Sequence, residues 1–200
     1  DGDQYYQWSP DGKWFLVNFS PSHLFRSDAA IVDAQGKQDI HNLTQSGYND
    51  NAPKWMLKGD AMIWFTDRNG MRSHGSWGSE YDVYGMFFNQ KSFDKFKLNK
   101  EELALFEEAE KEAKKGDKTD DDKKDKKKDD EKKKEEVKPI EIDWDGLEDR
   151  KVRMTIHASN ISDAVLTPEG DKLYYLSRFE KGYDLWEQDL RNTKCRLALV

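Results

Sequence analysis

A single cysteine, Cys195, stands among 200 residues, so no disulfide can form within the chain and its thiol content leaves the redox compartment open. Apolar runs are short, and none approaches the roughly 20 residues that a membrane-crossing helix needs. Positive charge is not in excess: 33 Lys and Arg face 40 Asp and Glu, a net charge of -7. That balance removes the electrostatic ground for binding nucleic acid or an anionic membrane. One cysteine and four histidines supply no set at metal-ligand spacing. No Gly-x-Ser-x-Gly occurs, and the first residues, Asp-Gly-Asp-Gln-Tyr-Tyr, form neither a signal peptide nor an initiator methionine. The start is therefore expected to be a cut within a longer polypeptide.

What the chain has is aromatic residues and charge, kept apart. Charged residues make up 36% and mean hydropathy is -1.04, values that suit a disordered polymer when averaged. Yet 7 Trp, 8 Tyr and 10 Phe are present, mostly outside the middle third. This division predicts two folded β portions around a solvated insert.

The folded portions repeat. Trp8-Ser-Pro-Asp-Gly-Lys-Trp-Phe-Leu-Val17 returns in phase at Trp55 to Trp64 and at Leu166 to Tyr175. Each copy is a large apolar residue, a turn closed by glycine (Gly12, Gly59, Gly170) and a run rich in β-branched and aromatic residues, the pattern of a β-hairpin. Second apolar strands follow at Ala30 to Asp33, Asp82 to Phe88 and Tyr183 to Leu190. Thr44 precedes Trp55 by 11 residues, and Thr155 precedes Leu166 by the same 11. A unit of four short strands every 40 to 50 residues, roughly, is the period of a β-propeller blade.

The expected fold is thus all-β: a partial β-propeller of about three four-stranded blades, over residues 1–44, 45–155 and 156–200. The second blade holds an insertion at about 90–150, a helix over 100–114 followed by a disordered charged stretch over 115–138. Asn99 and Glu102 form a capping box at the helix start, with Leu98 stapling onto Leu103. The stripe Leu103, Phe106, Ala109 and Ala113 is expected to dock on the side of the propeller. From Ala113 to Lys138, 12 Lys stand against 10 Asp and Glu, a balanced polyampholyte and not a nucleic-acid tail. Asp120-Asp121-Asp122 lacks the glycine and terminal glutamate of a calcium loop.

Candidate site residues are weighed against plainer roles. Trp8 is expected to pack between neighbouring blades, the usual fate of an aromatic in a β core. His74 lies in a Gly/Ser loop with Ser73, Ser76 and Ser79, where no rigid frame would hold an oxyanion hole, so it reads as a solvated loop histidine. Asp67, Asp82 and Asp184 are the carboxylates a glycoside hydrolase would need. The recurrence of Asp82 and Asp184 at matching positions favours a structural role at turns or strand ends. No catalytic, cofactor-binding or metal-binding residue is assigned, and no cofactor is implied.

Ile140-Glu-Ile-Asp-Trp-Asp-Gly-Leu-Glu-Asp-Arg150, the following Val152-Arg-Met-Thr155, and Asn160 to Tyr175 resemble the N-terminal propeller region of tricorn-type serine peptidases, bacterial ones especially. The helix and Lys/Asp/Glu run ahead of this segment are also similar to that family; the repeats alone are shared with TolB-like propellers. The resemblance implies a large parent enzyme with tandem propellers, a PDZ-like domain and a serine peptidase domain, cytoplasmic by that kinship, with periplasm or secretion left open. It implies a homo-oligomeric parent, and as partners peptides or the rest of the peptidase. None of the family's catalytic residues has a position here, so the chain itself is expected to be inactive. The alternative is a TolB-like scaffold that binds protein partners.

Overall fold

The computed structural model describes residues 4–21, 26–73, 77–116, 137–192 and 194–198. Three four-stranded antiparallel sheets follow one another along the chain, each in simple meander order. Sheet 1 holds β1 (Tyr6–Trp8), β2 (Trp14–Phe19), β3 (Asp28–Asp33) and β4 (His41–Asn42). Sheet 2 holds β5 (Asp50–Met56), β6 (Ala61–Thr66), β7 (Asp82–Phe87) and β8 (Lys151–Arg153). Sheet 3 holds β9 (Asn160–Leu166), β10 (Lys172–Arg178), β11 (Asp184–Asp189) and β12 (Lys194–Leu197). The fold class expected from the repeats is the one observed.

The first turns of sheets 1 and 3 are built alike. Gly12 and Gly170 both take positive φ, near 70°, which glycine reaches without a Cβ clash. The Ser9 hydroxyl accepts the amides of Lys13 and Trp14, and the Thr167 hydroxyl accepts those of Asp171 and Lys172. The corresponding turn of sheet 2 is a short 3-10 turn, Leu57–Gly59, in which Leu57 and Lys58 also take positive φ.

Burial follows from the order of the sheets. Sheet 2 is covered on both faces, so β6 (Ala-Met-Ile-Trp-Phe-Thr) is buried almost without a break. Sheet 3 is covered on one face, and β10 alternates: Leu173, Tyr175 and Ser177 point to sheet 2 while Leu176 and Arg178 are exposed. One core cluster, with Leu16, Ile31, Trp55, Met62 and Trp64, fills the seam between sheets 1 and 2. A second, with Ile63, Val83, Phe87, Leu166 and Leu173, fills the seam between sheets 2 and 3.

Trp8 corrects its expectation. It is 53% exposed and lies on Phe15, ring centroids 3.9 Å apart, with no sheet over it. Its repeat partners Trp55 and Leu166 are buried because each faces the sheet before its own. The Trp55 indole donates to the Gln7 carbonyl of sheet 1 at 3.1 Å. Trp8 points the same way, but among the described residues no sheet stands on that side of sheet 1.

Between β7 and β8 the chain leaves sheet 2 and returns to it. It first forms α1 (Gln90–Lys97), a helix outside the expected 100–114, capped by the Asn89 side chain on the Ser92 amide at 2.8 Å. Phe93 and Phe96 seat α1 on Phe87, with centroids 5.6 and 4.6 Å away. From sheet 3, Arg191 donates to the carbonyls of Phe96 and Leu98 at the end of α1, tying the excursion to a second sheet. Then comes α2 (Lys100–Gly116), where Asn99 and Glu102 exchange hydrogen bonds, each at 2.9 Å, in a capping box. In its stripe Leu103 and Phe106 are part-buried and Ala109 and Ala113 exposed, and α2 meets α1 through Lys95 over Phe106 and Lys91 with Glu110. The Lys/Asp/Glu run at 117–136, with Asp120 to Asp122, lies outside the described residues.

The returning segment is pinned at every turn. The Ile140 amide donates to Asp11 at 2.9 Å, and that of Asp143 to the Phe88 carbonyl at 2.8 Å. Trp144 meets Trp14 and His41. Arg150 is 3% exposed in the 3-10 turn Leu147–Arg150, and its guanidinium donates to the carbonyls of Phe87, Asp145 and Asp143.

Candidate functional site

Four buried carboxylates gather at one end of sheets 1 and 2, where β3, β5 and β7 begin and β6 ends. Asp28 is 5% exposed; Asp50, Asp67 and Asp82 are fully buried. A charge taken out of water must be hydrogen-bonded or paired, and donors are supplied to each. Asp28 accepts from the Thr44 hydroxyl (3.3 Å), the Asn42 amide group (2.7 Å) and the Ser46 backbone amide (3.3 Å). Asp50 accepts from the Trp64 indole at 3.1 Å and the Ser46 hydroxyl at 2.6 Å. Asp67 accepts the Asn49 amide at 2.9 Å, and Asp82 accepts from Thr155 (2.7 Å), Asn69 (2.8 Å) and Arg153 (2.9 Å).

The Asp and Thr form a repeated clasp. Asp28 and Asp82 each open the third strand of their sheet, opposite the last residue of the second, Phe19 or Thr66. The threonine hydroxyl donates to that carboxylate and accepts the next amide along, Ala29 to Thr44 and Val83 to Thr155, both at 3.1 Å. Asp184 holds the same position in sheet 3 but is exposed. The pairing is in register there too: Leu43 donates to Ala29, Met154 to Val83 and Ala198 to Leu185. The residue after is Thr44 in sheet 1 and Thr155 in sheet 2, while in sheet 3 it lies outside the described residues.

Beside the carboxylates stands a cation with no carboxylate of its own among the described residues. Arg68, in the turn between β6 and β7, lies between two tyrosine rings, its guanidinium 5.6 Å from the centroid of Tyr48 and 5.4 Å from that of Tyr84. Its Nε is buried and meets no acceptor. Both rings are held: the Tyr48 amide donates to the Ser46 hydroxyl, and the Tyr84 hydroxyl accepts from Asn69. Nearby, burial and then the charge of Asp67 push the Tyr81 phenol above its ordinary pKa. No sequence motif marks Arg68; the one available signal was its place in a turn between two apolar strands.

The other candidates are dispersed. His74 and Ser76 lie outside the described residues. Ser73 and Ser79 accept backbone amides within their own loop, from Trp77 and Arg72, both at 3.0 Å. Asp67 and Asp82 come together at the buried end, yet both are closed to solvent, so they do not form the open carboxylate pair of a glycoside hydrolase. Cys195 meets the Tyr175 hydroxyl at 3.2 Å, where burial and then that contact push the phenol up. Among the described residues no three His, Cys, Asp or Glu side chains group to hold a metal.

Three sheets in meander order, stacked face to face, are also found in solved structures. The tricorn protease matches 96% of this chain at a TM-score of 0.59 and 11% identity. A protein titled as a TolB from Agrobacterium tumefaciens matches 100% at 0.53 and 13%, and TolB from Acinetobacter baumannii matches 98% at 0.52 and 15%. The fold is a segment of a β-propeller. The chain spans 18%, 50% and 32% of those chains, respectively. At such identities the likeness concerns the fold alone. No family model matches the chain, and no curated protein matches it in sequence.

Proposed function

We propose that this chain is a non-catalytic propeller segment of a tricorn-like serine peptidase, with a structural role and a part in admitting peptides to a catalytic domain elsewhere in a homo-oligomeric parent. The observation that supports this reading most is the setting of the 140–155 segment, on which the resemblance rests. It is docked by Asp11, the Phe88 carbonyl and buried Arg150, and it feeds the strand that completes sheet 2. Incubating the chain with a peptide library tests the inactive half of the reading: no cleavage is expected, and turnover abolished by a serine-directed inhibitor would overturn it.

A second reading, a TolB-like scaffold that binds protein partners, is favoured by the two TolB structures above. The two part on whether a peptidase domain is encoded in the same open reading frame. Finding one supports the first reading; a reading frame with no such domain supports the second.

A further inference from the structure

The geometry points to Arg68 as the anchor of a carboxylate-binding site at the seam of sheets 1 and 2. The side chain is held in place, but among the described residues its hydrogen-bonding capacity is not used. Two tyrosines flank the guanidinium, one from the loop that enters β5 and one from β7, at 5.6 and 5.4 Å. The buried carboxylates fix both walls: Asp50 through Ser46, whose hydroxyl also takes the Tyr48 amide, and Asp82 through Asn69, which also donates to the Tyr84 hydroxyl. The Arg68 amide donates to Thr66, fixing the base of the turn. An arginine set between aromatic faces keeps its planar fork of donors aligned for a bidentate acceptor. Among the described residues Arg68 has none: its Nε is sealed and unpartnered, and its Nη atoms donate to no described group.

Charge selects the ligand. Asp28, Asp50, Asp67 and Asp82 lie at this end of the sheets and the chain carries -7 overall, so a dianion such as phosphate meets a repulsive field. A monoanionic carboxylate matches the single guanidinium in charge and in shape, and the tyrosine rings offer a flat group surfaces to lie against. The carboxylate can come from a peptide's C-terminus or from an acidic side chain. This site does not depend on the peptidase reading, since a protein-binding scaffold could use it equally.

The test is a titration of the whole chain followed at the arginine Nε–Hε NMR signals, with the Arg68 signal identified by its loss in Arg68→Lys. N-acetylalanine supplies a terminal carboxylate, N-acetylglutamic acid α-amide a side-chain carboxylate, and N-acetylalaninamide neither. The Arg68 signal is expected to shift, saturably, with one or both of the first two and not with the third. Arg68→Lys keeps the charge but loses the fork, so affinity read from the Tyr48 and Tyr84 ring signals should fall by about tenfold or more. No saturable shift with either acid overturns the site. So does an equal shift with the amide or with sodium chloride at matched ionic strength, or unchanged affinity in Arg68→Lys.

Discussion

Asp82 and Arg153 are 71 positions apart in the chain and 2.9 Å apart in space, joined across the edge of sheet 2. The helices α1 and α2 and the charged run lie between them in sequence. The ladder shows how: Tyr84 lies opposite Arg153, Gly85 opposite Val152 and Met86 opposite Lys151. The excursion is an insertion between two neighbouring strands of one sheet.

The Asp–Thr clasp carries the first prediction. In Thr155→Val the hydroxyl that donates to buried Asp82 and accepts the Val83 amide is lost. Leaving such groups unpaired costs about 1–3 kcal/mol. Thr44→Val should cost a similar amount, while Asp184→Ala, at an exposed strand start, should stay within about 0.5 kcal/mol. Urea unfolding measures all three, and equal costs at Asp184 and Thr155 would contradict the clasp.

Trp55 and Trp8 share a repeat position and should behave oppositely. Trp55 is 9% exposed and packs on Phe88, so Trp55→Ala should destabilise by about 3–5 kcal/mol. Trp8 rests on Phe15 at a face that no described sheet covers, and Trp8→Ala should cost about 1 kcal/mol or less. A Trp8→Ala loss as large as that of Trp55→Ala would mean that the face is covered.

Gly70 and Gly12 separate crowding from backbone strain. A Cβ on Gly70 would overlap the Glu80 carbonyl, a backbone group that cannot swing away, whereas one on Gly12 meets nothing within 4 Å. Gly12→Ala should therefore cost only the left-handed conformation, about 1–2 kcal/mol. Gly70→Ala should cost more, by about 1–3 kcal/mol. Thermal unfolding of the two variants checks the order.

Strong acid should loosen the contact that ties the returning segment to Asp11. Its partial burial raises the carboxyl's pKa, but the Ile140 amide, the Ser9 hydroxyl and the Lys13 amide together outweigh this and hold it below the ordinary value. A depressed carboxylate contributes stability in full above its unfolded pKa, about 3.9, and loses it as pH falls through the folded value. The Ile140 amide shift should accordingly titrate below about pH 4 and stop titrating in Asp11→Asn. A midpoint at or above 3.9, roughly, would contradict the contact.

Much of this architecture was legible because repeats expose it. Thr44 and Thr155 stand at equal distances from Trp55 and Leu166, and Asp82 and Asp184 recur at matching strands, so the clasp left a trace before its geometry was known. The exposure of Asp184 was not legible, because the same residue type opens the matching strand of sheet 2 as buried Asp82. Helix α1 was hidden by its length: eight residues with Phe93 and Phe96 on one side look like a loop after a strand. Trp8 misled because its type reports what the position faces and not whether a neighbour is there. Arg68 carried no signal, since a cation in a turn is ordinary until its partners are counted.

The pairing of β7 with β8 can be read directly from cross-strand nuclear Overhauser effects in the folded chain. Contacts are expected between the backbone protons of Tyr84 and Arg153 and between those of Gly85 and Val152, with a slowly exchanging Met154 amide bonded to the Val83 carbonyl. A folded protein in which β6 and β7 show their mutual contacts but Tyr84 and Arg153 show none would contradict it.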